Sequence, residues 1–405
     1  MAKRVRRSDE KEKKEFKLPV DFKPVNIKRV LQICIVMCLL GGLIYFRSYL
    51  SLDQLSGFFS GISIFSGGQI TSSQSKDISF VGNERNQYLS YKGNLTVAAV
   101  DGIKMYDRKT GAETAVKLSY EKPVASAGSR QLLCYDMNGS SFAIIQDDKL
   151  KNEVQTSGKV LMGEINDSNF SVIVTSDQSY KGVATVYDNS QEKLYGYNSP
   201  DNIVDATLSP MSDRLLLLTL DTSQNNLSSK LTVYDLSAED AEGENSYRSD
   251  GMFLWDVEYK SGSLVAAVGD DELVLLSSKM QERAKYEFNG RQLMGYSLEP
   301  QNYSVVALSE NKTGTQCAIR SIDNNGELKG EYVVKDTIQD VQANDQMILV
   351  LTKSSIIQLN SRCELVKELD LVKDLAVTEN VQKLVIGKGN VYLVGQNWAK
   401  NLILA

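Results

Sequence analysis

Three aspartates hold the same place in repeated segments of this chain: Asp205 in IVDATLS, Asp256 in LWDVEYK and Asp340 in IQDVQAN. In the matching segments VLMGEIN and LMGYSLE, Gly163 and Gly295 stand there instead. Carboxylates converging on one point would hold a hard cation such as calcium, or a basic ligand group, through oxygen. An aspartate that alternates with glycine also fits a plainer task. It accepts backbone N–H bonds where a strand begins and replaces loop amides between repeats. The alternation favours the plainer task. These three are the only metal candidates, and no cofactor is expected.

Histidine is absent from all 405 residues. That excludes Ser-His-Asp and Cys-His catalysis, His-ligated metals and a histidine pH switch. No Gly-rich phosphate loop, Cys-x-x-Cys or GxSxG string occurs. Paired carboxylates can cleave polymers without histidine, so a hydrolase or lyase survives this test as an alternative. The expectation is a protein without catalytic residues. Cys134, Cys317 and Cys363 lie in apolar runs and read as buried free thiols. No disulfide framework is expected.

The elements that carry these residues repeat. A hydrophobic strand, a polar hairpin and a second strand recur eight times, from NLTVAAVDGIKMYDRKTG (94–111) to NVYLVGQNWAKNLILA (390–405). The second strand often ends in an apolar or aromatic residue followed by Asp, as in Tyr106-Asp107, Tyr187-Asp188, Tyr234-Asp235 and Ile322-Asp323. The units stand about 37–47 residues apart, which matches four short strands per blade of a β-propeller. Eight blades are expected, or seven if two weaker units merge. The last unit ends at Ala405 after its third strand. The segment DISFV (77–81) is expected to supply the fourth and close the ring, because an unpaired edge invites aggregation.

Charge and hydropathy divide the chain before the repeats begin. Residues 1–29 hold 11 basic and 5 acidic residues, whereas 48–405 hold 33 basic and 46 acidic. The acidic part repels phosphate backbones, so nucleic acid is not expected as a partner. Between these parts lies an uncharged run of 17 residues, Val30 through Leu39 to Phe46, flanked by Arg29 and Arg47. Snorkelling arginines let a run of this length span a bilayer. No small-x-small cleavage site follows, so residues 30–47 read as an uncleaved signal anchor. The positive-inside rule places the basic tail (1–29) in the cytoplasm and the rest outside the cell membrane. Cys34 and Cys38 fall within the span. Residues 48–76 are dense in Gly and Ser and read as a juxtamembrane linker, leaving 77–405 for the propeller.

The repeat resembles the WD40 and quinoprotein-like propeller superfamily. The whole layout is similar to an uncharacterised domain-of-unknown-function family from Gram-positive bacteria, and this resemblance assigns no functional residue. The quinoprotein blade motif is matched only in its D-x-x-T-G part, by Asp107, Thr110 and Gly111, while Ala115 stands where its Trp belongs. The one Trp-Asp pair, Trp255-Asp256, falls on a first strand, not on the third as in WD40 blades. The function expected is a single-pass, extracytoplasmic binding or scaffolding module for protein or cell-envelope glycan. The alternatives are a transmembrane sensor signalling through the basic tail and a carboxylate-based hydrolase or lyase. A cleft with two carboxylates of raised pKa would favour the last.

Overall fold

The run LLLL at 215–218 has no polar alternation, so as a strand it needs cover on both faces. The computed structural model, which describes residues 68–72, 77–221, 228–237, 243 and 245–404, provides that cover by stacking sheets radially. Leu216 and Leu218 pack toward one neighbouring sheet, and Leu215 and Leu217 toward the other. Ile348 and Val350 divide from Leu349 and Leu351 in the same way. Period-two alternation thus feeds two separate cores.

Eight sheets form an all-β, eight-bladed propeller. Blades 1 to 7 are four-stranded antiparallel meanders spanning 87–117, 123–155, 160–199, 202–250, 254–287, 293–334 and 338–370. Eight blades are present, so the seven-blade alternative drops out. The first strands of successive blades run side by side around the axis, and those of blades 1 and 8 also meet. Second and third strands are buried almost throughout, as in Leu264–Gly269 and Ser355–Leu359. Fourth strands face water and are charged, as in Lys149–Gln155 and Glu282–Glu287.

Blade 8 is built from Lys383–Ile386, Asn390–Val394 and Trp398–Leu404, and it takes its outer strand from the far end of the chain. Ile78–Ser79, within DISFV, pairs with Ala399 and Trp398. A second piece, Ile70–Ser72, pairs with Leu404, Ile403 and Leu402. The closing strand is therefore split, and its first half lies inside the stretch read from composition as linker. Gly and Ser at 67–76 hid it; what makes it a strand is the partner more than 300 residues away. Gln358 of blade 7, 1% exposed, clamps this half. Its Oε1 accepts the Ile70 N–H at 2.9 Å and its Nε2 donates to the Gly68 carbonyl at 2.9 Å.

The basic tail, the anchor at 30–47 with Cys34 and Cys38, and most of the linker lie outside the described residues. Among the described residues no helix is long and apolar enough to cross a membrane.

Candidate functional site: the central channel

The repeated aspartate position has a geometric cause. In blades 3 to 7 the first strand carries a β-bulge, and the residue just after it is Gly163, Asp205, Asp256, Gly295 or Asp340. A bulge leaves one residue unpaired and re-aims the next. Asp205 uses this to bridge blades. Its Oδ2 accepts the Val257 N–H of blade 5 at 2.9 Å, and its Oδ1 accepts the Ala206 N–H at 2.8 Å. Asp340 repeats the pattern: Oδ2 accepts the Leu384 N–H of blade 8 at 2.8 Å, and Oδ1 accepts from Gln342 Nε2 at 3.1 Å. At Gly163 a Cβ would sit 2.9 Å from Ile173 and 3.2 Å from Tyr135, so the bare backbone itself allows the close packing.

Asp205 and Asp256 occupy adjacent blades and repel one another electrostatically. Asp340 sits two blades beyond Asp256. Among the described residues no group of three Cys, Asp or Glu is arranged to hold a metal ion. The three candidate aspartates are thus not gathered around one point, because the ring separates blade 4 from blade 7.

What the first strands do gather is a wider arc of carboxylates. Glu164 of blade 3, Asp205 of blade 4, Asp256 and Glu258 of blade 5 and Glu299 of blade 6 interact through space. Burial, then the Asp205 carboxylate, pushes Glu164 up to about 8. Burial, then Asp256, pushes Asp205 up to about 7. Glu258 lies well above the usual carboxylate range through burial and the neighbouring Glu164 and Glu299. Glu299 is raised by burial and Asp256, with Lys260 opposing. Glu299 keeps an exposed surface, and Glu164, Asp205 and Glu258 are half-buried. Channel water reaches them and damps these interactions. The Glu164 carboxylate also accepts the Thr207 hydroxyl at 2.8 Å.

Lys260 is the cation of this arc, yet it does not neutralise it by contact. It is 3% exposed, and its Nζ donates to the carbonyls of Leu298 at 2.5 Å and Tyr303 at 2.7 Å in blade 6. Burial pushes it down to about 8, against the pull of Glu258, Asp345 and Glu299. Lys260 is one of several polar staples between blades. Tyr303 OH donates to the Asn344 carbonyl at 2.5 Å, and Tyr392 OH to the Gly93 carbonyl at 3.1 Å.

Beside the arc, a cavity of about 580 Å³ opens on the axis. Tyr88, Ser126, Glu299, Gln342, Asp345 and Lys383 supply its polar lining, from blades 1, 2, 6, 7 and 8. The sequence showed the aspartate register but not Glu164, Glu258, Glu299 or Lys260. These glutamates sit one, two or four residues past the bulge, on strands whose register only the structure reveals.

The motifs with sharper chemical readings resolve into turns. Asp107 Oδ1 accepts the Thr110 N–H and Oγ1, both at 2.8 Å, and Gly111 has a φ of 67°. Asp188 and Asp323 close the same third-to-fourth-strand hairpin in their blades. The recurrent apolar-Asp pair is thus a strand ending followed by an Asx turn. Cys134, Cys317 and Cys363 are buried free thiols, and burial pushes all three above the usual range.

An axial channel walled by the first strands of eight blades defines the class: a WD40-like β-propeller. The chain belongs to the family of unknown function DUF5711, which matches residues 68–396. It is similar in structure to Sqt1 from Chaetomium thermophilum, with 12% identity, 83% of this chain and 100% of that chain covered, and a TM-score of 0.56. It is also similar to BamB from Moraxella catarrhalis, with 8% identity, the same coverages and a TM-score of 0.53. The WD40 β-propeller domain of Doa1 aligns with 12% identity over 71% of this chain and 95% of that one, at a TM-score of 0.45. Comparison with curated proteins returned no match.

Proposed function

We propose that this chain is a binding or scaffolding module, held at the cell membrane by the apolar run at 30–46 with its propeller on the outer side. The partner we favour is a protein or an envelope glycan. The observation that carries this reading is the axial cavity: concave, polar and built on rigid strands from five blades, the setting in which binding groups keep a fixed geometry. The net charge of the propeller side argues against nucleic acid.

A hydrolase is the second reading, because Glu164 and Asp205 are adjacent channel carboxylates of raised pKa. Asp205 argues against it. Each of its oxygens already holds a backbone amide, which is the work of a structural bridge.

Two measurements test the proposal. Protease added to intact cells should remove the propeller and leave the basic tail protected. A propeller that resists under those conditions and is released only on lysis overturns the topology. The full-length chain as bait, cross-linked in membranes, should retain one defined partner through purification. Recovery of shortened envelope polymer instead, lost in Glu164→Gln, would move the assignment to the enzyme.

A further inference from the structure

The channel has more negative groups than its own cations can answer. Lys260 spends its ammonium on two carbonyls of blade 6. Lys383 lines the far wall of the cavity. Glu258 and Glu299 make no hydrogen bond or ion pair with any described residue, and Glu299 lines the cavity with an exposed carboxylate.

The register two residues past each bulge adds a second, independent observation. It is occupied by Thr207, Glu258, Ser297 and Gln342 in blades 4 to 7. Gln342 in this register lines the cavity, and Thr207 reaches the Glu164 carboxylate of the neighbouring blade from it. Ser297 is 6% exposed, and its hydroxyl is buried without any partner. A buried hydroxyl left open is uncommon, because its desolvation goes uncompensated. Blade 3 offers Glu164 to Thr207, but blade 5 has Val257 at the corresponding place, so Ser297 finds nothing within the protein.

We propose that this cavity receives a cationic organic group, an ammonium or guanidinium, seated between Glu258 and Glu299 with the Ser297 hydroxyl as a further acceptor. The inference rests on the binding-module reading and names the chemistry its partner presents. A volume of about 580 Å³ takes one or two long basic side chains or a free polyamine. Charge-assisted hydrogen bonds would replace mutual repulsion among the carboxylates. A bare divalent ion fits less well, because the carboxylates do not converge.

The test uses the full-length chain in mild detergent at physiological salt, with three probes in titration calorimetry: hexalysine, its fully acetylated counterpart and spermidine. Hexalysine should bind and the acetylated peptide should not. Glu258→Gln and Glu299→Gln should each weaken binding by roughly tenfold or more, as expected for losing one charge pair. Glu192→Gln, an exposed acid on an outer hairpin, should leave it unchanged. Binding by spermidine as well points to a free polyamine; binding by the peptide alone points to a protein chain. Both channel variants remove a repelling charge and should melt no lower than wild type, so lost binding cannot be unfolding. Equal affinity in wild type and both channel variants, or no binding of any cation, overturns the inference. If the variants still retain the cross-linked membrane partner, the channel assignment falls while the binding-module reading stands.

Discussion

Glu164 shows how one residue couples this fold to pH. Its carboxyl is held above the ordinary value of 4.5, up to about 8, by burial and by Asp205. A group raised in this way favours the folded state fully below about pH 4.5, and that advantage fades as pH climbs toward 8. Asp205, raised to about 7, acts in the same direction. Stability should therefore decline between about pH 5 and 8. Glu164→Gln keeps an acceptor for Thr207 and removes the charge. It should raise stability at pH 8 by on the order of 1–2 kcal/mol after allowance for channel water, and do little at pH 5. Thermal melts at pH 5, 6.5 and 8 on both proteins check this. Parallel pH profiles would mean that Glu164 is ionised at little cost in the folded channel. Asp205→Asn is a poorer probe, because one of its two backbone amides would lose its acceptor.

At the scale of elements, the hairpins and the closing strand differ in how far the sequence disclosed them. The buried second and third strands announce themselves as apolar runs ended by Asp, since the Asx turn that stops them is a local structure. Ile70–Ser72 could not be seen that way. It is three residues long, lies among Gly and Ser, and is defined by Leu402 to Leu404. Its neighbour Ile78–Ser79 was visible because DISFV is apolar enough to stand out. The carboxylate arc was half-legible for the same reason: bulge register is a pairing property, while the Asp and Gly alternation is a letter pattern. The outer strands avoid edge-to-edge association through charge and bulges, as at Leu150/Asn152 in Lys149–Gln155. Gln358 should be the seam's strongest single polar contact. Gln358→Ala orphans the Ile70 N–H and the Gly68 carbonyl and should cost about 2–4 kcal/mol. Urea unfolding measures it; an unshifted midpoint would mean that the split strand contributes nothing to closure.

Across the whole molecule, closure decides cooperativity. An open array of repeats loses its ends first, because each unit leans only on its neighbours. A closed ring has no end to fray. The chain carries only two tryptophans, Trp255 in blade 5 and Trp398 in blade 8. Single-tryptophan variants Trp255→Phe and Trp398→Phe thus report on opposite parts of the ring. Their fluorescence midpoints should coincide with each other and with far-ultraviolet circular dichroism. A Trp398 signal that departs earlier would show blade 8 opening by itself.

The split strand also sets the order in which the molecule can be finished. Ile70 leaves the ribosome early, yet its pairing partners, Leu402 to Leu404, come last. Joining them closes a loop of more than 300 residues, a step whose entropic cost grows only slowly with length but cannot be met ahead of time. Until then blade 7 presents Leu349, Leu351 and Leu369 to solvent, because blade 8 is their cover. An interrupted chain accordingly displays a sticky face however well its earlier blades have folded, and proteases and chaperones have a surface by which to distinguish it. The seam acts as a proofreading mark: only a chain translated through its final strand can hide it.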